Sequence, residues 1–121
     1  MTLRKYKLPR VDIIYTYAGA DGALIDAAVA AKAEGLVIAG FATGSGTPAM
    51  DEAVKRVAET GIPVVMTNRG GMGRVTDTRA KEARPLIWGD NLTPPKARIL
   101  LMLALTATRD RAELQRSFQT Y

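Results

Sequence analysis

The fold of this chain is constrained most by one stretch in which an apolar strand, a glycine-rich loop and a helix start follow one another directly. Residues 36–39 are wholly apolar, as expected for a strand covered on both faces. Residues 40–48 are then rich in glycines and hydroxyl side chains, and Thr47 and Pro48 supply an N-cap and a first helical residue. In an α/β domain, free N–H groups and the helix dipole hold anionic ligands at such a place. The alternative is a connector in which Thr47 merely caps the helix.

The rest of the chain continues this alternation of strands and helices. Residues 11–17 are rich in β-branched and aromatic side chains and predict a strand. Residues 62–67 predict a third strand and residues 86–88 a short fourth one. Apolar residues at helical spacing predict a helix that Asp21 caps and that ends near Gly35.

The three later helices differ in pattern. The helix after the glycine loop is amphipathic and is predicted to end at Gly61. Its apolar stripe consists of Met50, Ala53, Val54, Val57 and Ala58. The next helix begins at Thr93 and Pro94, and its residues 99–105 are apolar on nearly all sides, which predicts deep burial. Asp110 is predicted to cap a final helix that ends at Tyr121.

This order of elements predicts an α/β fold. Parallel strands with helical crossovers indicate a small doubly wound, Rossmann- or flavodoxin-like sheet of about four strands, with helices on both faces. We expect a linker remnant at residues 1–10 and one domain at residues 11–121. Ligands of such sheets bind outside the carboxyl ends of the strands, where the loops at residues 40–48 and 68–84 are expected. The second loop is long for a connector, which favours a functional or partner-facing role.

The composition excludes several kinds of site. The 121 residues include neither Cys nor His, which removes disulfides, thiolate nucleophiles, the usual zinc sites and His-based triads. The net charge is +5, but four of the positive charges precede the first acid, and the remaining chain has 13 basic against 12 acidic residues. A short basic leader of this kind is more typical of a solvated linker than of a nucleic-acid-binding arm, so no nucleic-acid partner is expected. No apolar run approaches the roughly 20 residues that cross a bilayer, and no signal peptide or membrane partner is expected.

Known local motifs in the glycine loop are not matched. The spacing of Gly40, Gly44 and Gly46 does not fit a Walker A loop, and no Lys follows. Ser45 lies between glycines, but a nucleophile elbow also needs a histidine. The residues alone therefore predict a small polar site without a complete catalytic set.

Two longer segments carry a family resemblance. Residues 90–105, DNLTPPKARILLMLAL, are similar to an NL-x-PQKARVLL-x-LAL helix nearly residue for residue. Residues 36–40 and 44–47, LVIAG and GSGT, are similar to an AG-x-GNG[NT] loop with about one residue extra. Both are motifs of the C-terminal domain of bacterial-type L-asparaginases, in the asparaginase/glutaminase family, which this chain resembles over essentially its whole length.

This resemblance implies part of an amidohydrolase that converts L-asparagine to L-aspartate and ammonia without a metal or organic cofactor. The family's nucleophilic Thr and its Thr-Asp-Lys set lie in a larger N-terminal domain, which is an expected partner. No catalytic residue is therefore assigned here, Met1 is interpreted as a fragment start, and the chain alone is expected to be inactive. The family forms dimers or tetramers, in which this domain lends residues to a neighbouring subunit's site. The resemblance leaves two compartments for the parent protein, the bacterial cytoplasm and the periplasm.

The resemblance also assigns substrate-binding residues. Thr47 corresponds to a substrate-side Asn or Thr of the family, and Ser45 to the preceding Asn. The family's substrate-side acid lies in the loop after the third strand, where Asp77 is the only acid of residues 68–80 and an alternative alignment places Thr78. The rival hypothesis is a free-standing small-ligand or anion-binding module that uses residues 44–47.

Overall fold

A computed structural model describes residues 8–16, 19, 21–40, 48–68, 86–89 and 92–120. Within these ranges the strands are β1 (Val11–Tyr15), β2 (Gly35–Gly40), β3 (Val64–Asn68) and β4 (Ile87–Trp88). The helices are α1 (Ala23–Ala30), α2 (Pro48–Glu59), α3 (Pro94–Leu105) and α4 (Arg111–Thr120). None of these helices is long and apolar enough to span a membrane.

The strands form one parallel sheet in the order β1-β2-β3-β4, which confirms the predicted α/β class. Because the order does not reverse and crossovers are right-handed, α1 and α2 lie on the same face of the sheet. Helices α3 and α4 follow the last strand and cover the other face. Both faces are therefore covered, and the second layer is supplied by the C-terminal part of the chain.

Strand β2 is buried at every residue because its side chains enter two separate cores. Leu36 and Ile38 pack under α1 and α2, whereas Val37 packs under α3 and α4. This double coverage explains the wholly apolar sequence of the strand. The predicted stripe of α2 is confirmed, since all of its members are buried: Met50, Ala53, Val54, Val57 and Ala58.

The first helix ends at Ala30, so the predicted end near Gly35 is wrong. Lys32 adopts a φ of 67°, and Ala33 N donates to Ala28 O at 3.0 Å, which is the pattern of a Schellman stop. Gly35 instead begins β2, where a Cβ would lie 2.9 Å from Leu101 Cδ2. Its small size therefore permits the close packing of α3 on the sheet.

Helix α3 is only partly buried, contrary to the predicted deep burial. Ala97, Leu101 and Leu105 enter the core. Ile99 and Leu103 are 56% and 55% exposed. A single helix in an outer layer turns only one side toward the sheet, so an apolar composition on all sides overstates its burial.

The helix ends follow the predicted signals in part. Gly61, with a φ of 97°, lies just after α2, and Asp110 Oδ2 accepts from Glu113 N at 3.2 Å at the start of α4. Thr93 is the N-cap residue of α3, but its side chain makes no capping hydrogen bond. Pro94 and Pro95, at the first two helical positions, have no N–H group that a cap would have to satisfy.

Side chains of α3 and α4 bond to the backbone at both outer edges of the sheet. On β1, Val11 O accepts from Arg98 Nε at 2.7 Å. On β4, Trp88 N donates to Gln115 Oε1 at 2.7 Å, and Gln115 Nε2 donates to Trp88 O at 3.0 Å. The Gln115 amide thus takes the place that a peptide group of a further strand would occupy.

Candidate functional site

The candidate site lies at the carboxyl edge of the sheet, which all four parallel strands share. Gly40, the last residue of β2, is the register partner of Asn68, the last residue of β3. The glycine loop and the long loop after β3 therefore leave the sheet from adjacent positions. This edge is where parallel α/β sheets bind their ligands.

The four predicted substrate-binding residues, Ser45, Thr47, Asp77 and Thr78, lie outside the described residues. The structure fixes the ends of their loops. Helix α2 begins at Pro48, the position that an N-cap at Thr47 requires. The assignment of the four residues to substrate remains a prediction.

Thr67 is a residue of this edge that the sequence reasoning did not single out. It is fully buried, and its Oγ1 donates to Ile38 O on β2 at 2.9 Å. Gly89, just after β4, donates from its N to Met66 O at 2.9 Å. Two features of the sequence could have pointed to this contact: a threonine near the end of an apolar run, and a glycine directly after a strand.

Charged side chains make a second cluster at the opposite, amino edge. Arg10 Nε lies 3.2 Å from Asp12 Oδ1, and Arg10 N donates to Glu34 Oε2 at 3.2 Å. Arg109 Nη2 donates to Glu34 Oε1 at 2.8 Å. This cluster joins the entry of β1 to the turns before β2 and α4, so its role is structural. The described ranges hold no group of three Asp, Glu, Cys or His side chains able to bind a metal.

Two open grooves on the described surface follow outer elements of the fold. One of about 590 Å³ follows β1 and α1, and its charged groups, including Asp12 and Arg98, already bond within the fold. The other, of about 570 Å³, follows the exposed side of α3 at Ile99 and Leu103 and is largely apolar. Neither groove brings together a set of polar groups suited to an amino-acid ligand.

Comparison with known proteins gives consistent matches. The family model Glutaminase/Asparaginase C-terminal domain matches residues 10–118. L-asparaginase 2 from Bacillus subtilis (strain 168) is 42% identical over 115 residues, which cover 95% of this chain and 31% of that protein. L-asparaginase 2 from Escherichia coli (strain K12) is 36% identical over 117 residues, with coverages of 95% and 34%.

A solved structure agrees with these sequences. The probable cytoplasmic L-asparaginase from Campylobacter jejuni matches with a TM-score of 0.91 at 34% identity, over 98% of this chain and 40% of that one. The resemblance drawn from residues 36–47 and 90–105 is confirmed. The chain spans about a third of the length of the two curated relatives.

Proposed function

Because the chain belongs to the Glutaminase/Asparaginase C-terminal domain family, we propose that it acts as the C-terminal domain of an L-asparaginase. The reaction is hydrolysis of the side-chain amide of L-asparagine to L-aspartate and ammonia. The names of the longer relatives support this reaction. The observation that carries this proposal is the pairing of Gly40 with Asn68. The glycine loop and the long loop after β3, which contains Asp77, therefore leave the sheet at neighbouring points of its carboxyl edge.

The domain's own contribution is to bind and orient the amino-acid substrate. Ser45 and Thr47 precede α2 in the sequence, and we assign their hydroxyl groups to the substrate carboxylate, which a helix N-terminus favours. We assign Asp77, or Thr78 in the alternative alignment, to the substrate ammonium group. These groups position the substrate and take no proton from it.

The chemical step needs partners. The chain has no His or Cys, and we place the nucleophilic Thr and its base in the N-terminal domain of a longer protein. A homo-oligomer then brings these loops to a neighbouring subunit's catalytic groups. No step is assigned to a metal or an organic cofactor.

A chimera provides the test. This chain replaces the matching region of L-asparaginase 2 from Bacillus subtilis, and ammonia release from asparagine is measured. We expect activity, and we expect Thr47→Ala to raise KM more than it lowers kcat, since the residue only positions substrate. Thr60→Ala is the control, because Thr60 Oγ1 donates to Val57 O at the far end of α2. A folded chimera without activity would contradict the proposal.

The isolated chain tests the rival module. At micromolar concentration we expect no ammonia release. Turnover that persists through purification and is lost in Thr47→Ala would make the glycine loop a catalytic centre in its own right.

A further inference from the structure

One buried side chain touches two neighbouring strands at the carboxyl edge. Thr67 lies near the end of β3, and its hydroxyl donates to Ile38 O on β2 at 2.9 Å. Its methyl group lies on the side of Gly89, where a Cβ built on the glycine would be only 2.9 Å from Thr67 Cγ2. The two branches of Thr67 therefore contact the strand before β3 and the residue after β4.

Gly89 accepts this close approach because it has no side chain. The same Cβ would also lie 2.9 Å from Met66 O, which is a backbone atom and cannot move away alone. Gly89 N donates to that Met66 O at 2.9 Å. A larger residue would have to lengthen this hydrogen bond and move the chain away from β3.

We propose that Thr67 is a positioning residue that fixes the spacing of Gly40, Asn68 and Gly89, from which three loops leave the carboxyl edge. A buried hydroxyl bonded to a backbone carbonyl holds one rotamer, and the methyl group then sets the distance to Gly89. Small displacements of positioning groups are costly for substrate orientation. The relevance to substrate binding rests on the proposed function, whereas the effect on the edge depends on the fold alone.

Hydrogen exchange of backbone amides in the 121-residue chain tests the geometric part. Thr67→Val keeps the shape and removes the hydroxyl. Two probes report on the carboxyl edge, since Thr16 N donates to Ala39 O at 2.9 Å and Gly89 N donates to Met66 O. We expect their protection to fall about fivefold or more in this variant.

Matched measurements separate this local effect from a general loss of stability. Glu34 N, which donates to Arg10 O at 2.7 Å, and Leu36 N report on the amino edge and are expected to keep their protection within about twofold. Thr60→Val also removes a hydroxyl-to-backbone bond, from an exposed residue at the end of α2, and should leave the carboxyl edge unchanged. Thr67→Ser keeps the hydroxyl but not the methyl group, so it should restore the protection of Thr16 N more fully than that of Gly89 N.

Equal loss at both edges would reduce Thr67 to a stabilising residue and overturn the proposal, and so would unchanged protection in Thr67→Val. In the active chimera, Thr67→Val is expected to raise KM several-fold more than it lowers kcat. A chimera that is inactive even with Thr67 intact would contradict the proposed function and leave the exchange result standing. A local exchange effect with an unchanged KM would overturn the role in substrate positioning.

Discussion

The two helical layers cover the sheet in different ways. In the α1/α2 layer, α2 buries one stripe and turns charged residues outward, and Arg56 Nη2 lies 3.2 Å from Asp26 Oδ1 with both side chains more than half exposed. In the α3/α4 layer, Arg98 and Gln115 bond directly to the backbone of the sheet edges. The outward side of α3 is mainly apolar, with Ile99 and Leu103 exposed beside a single charged residue, Lys96.

The difference shows two ways of orienting a helix. The rotation of α2 about its axis follows from its own amphipathic pattern, which the sequence displays. The rotation of α3 is set by contacts with distant residues, because Leu101 packs against Gly35 and Arg98 reaches Val11 O. An apolar helix can therefore have a defined orientation that its own residues do not reveal.

The largest effect is expected from Leu101→Ala in α3. Leu101 is fully buried, and its truncation should lower the free energy of unfolding by about 2–5 kcal/mol through lost burial and a residual cavity. Chemical denaturation measures the change, with Leu103→Ala on the exposed side of the same helix as control. A loss below about half a kcal/mol would mean that α3 does not pack as described.

Removal of the amide that covers β4 is expected to have the next largest effect. Gln115→Ala takes away both hydrogen bonds to Trp88, and loss of such partners in a partly buried place should cost about 1–3 kcal/mol. Urea denaturation measures this, and Arg116→Ala on the exposed side of α4 is the control. If the two variants were equally stable, the hydrogen bonds from Gln115 to Trp88 would not stabilise the α3/α4 layer.

The ion pair of the other layer should contribute less. Asp26→Asn removes the charge that faces Arg56, and exposed pairs of this kind contribute roughly 0.2–1 kcal/mol. A double-mutant cycle with Arg56→Gln isolates the pair, and its coupling energy should shrink as salt is added. A coupling that is large and independent of salt would indicate a buried interaction between α1 and α2.

The smallest effect is expected on the apolar side of α3. Leu103 is 55% exposed, so Leu103→Gln should change the stability by no more than about half a kcal/mol. Denaturation at two protein concentrations is the measurement. A marked loss that depends on concentration would show that this side is covered in solution and would break the contrast with α2.

These layers also show what the sequence could predict. Parallel strands, the buried stripe of α2 and the Asp110 cap follow from local patterns, and the structure confirms them. The early end of α1 at Ala30 and the use of Gly35 for packing depend on tertiary contacts that local patterns do not contain. At the candidate site, residue types and family resemblance indicated the loops, whereas the bridge from Thr67 to Ile38 required the register of two strands.

The strand order β1-β2-β3-β4 has a consequence for the timing of folding during synthesis. Each strand pairs with the one made just before it, so the sheet and its α1/α2 layer can assemble as the polypeptide emerges from the ribosome. The opposite face of the sheet must wait for α3 and α4, which are made last. Until then an apolar strip of four residues stays open to other nascent chains: Val11, Val37, Val65 and Ile87. A chain that lacks residues 94–120 would therefore present the aggregation-prone form of this domain.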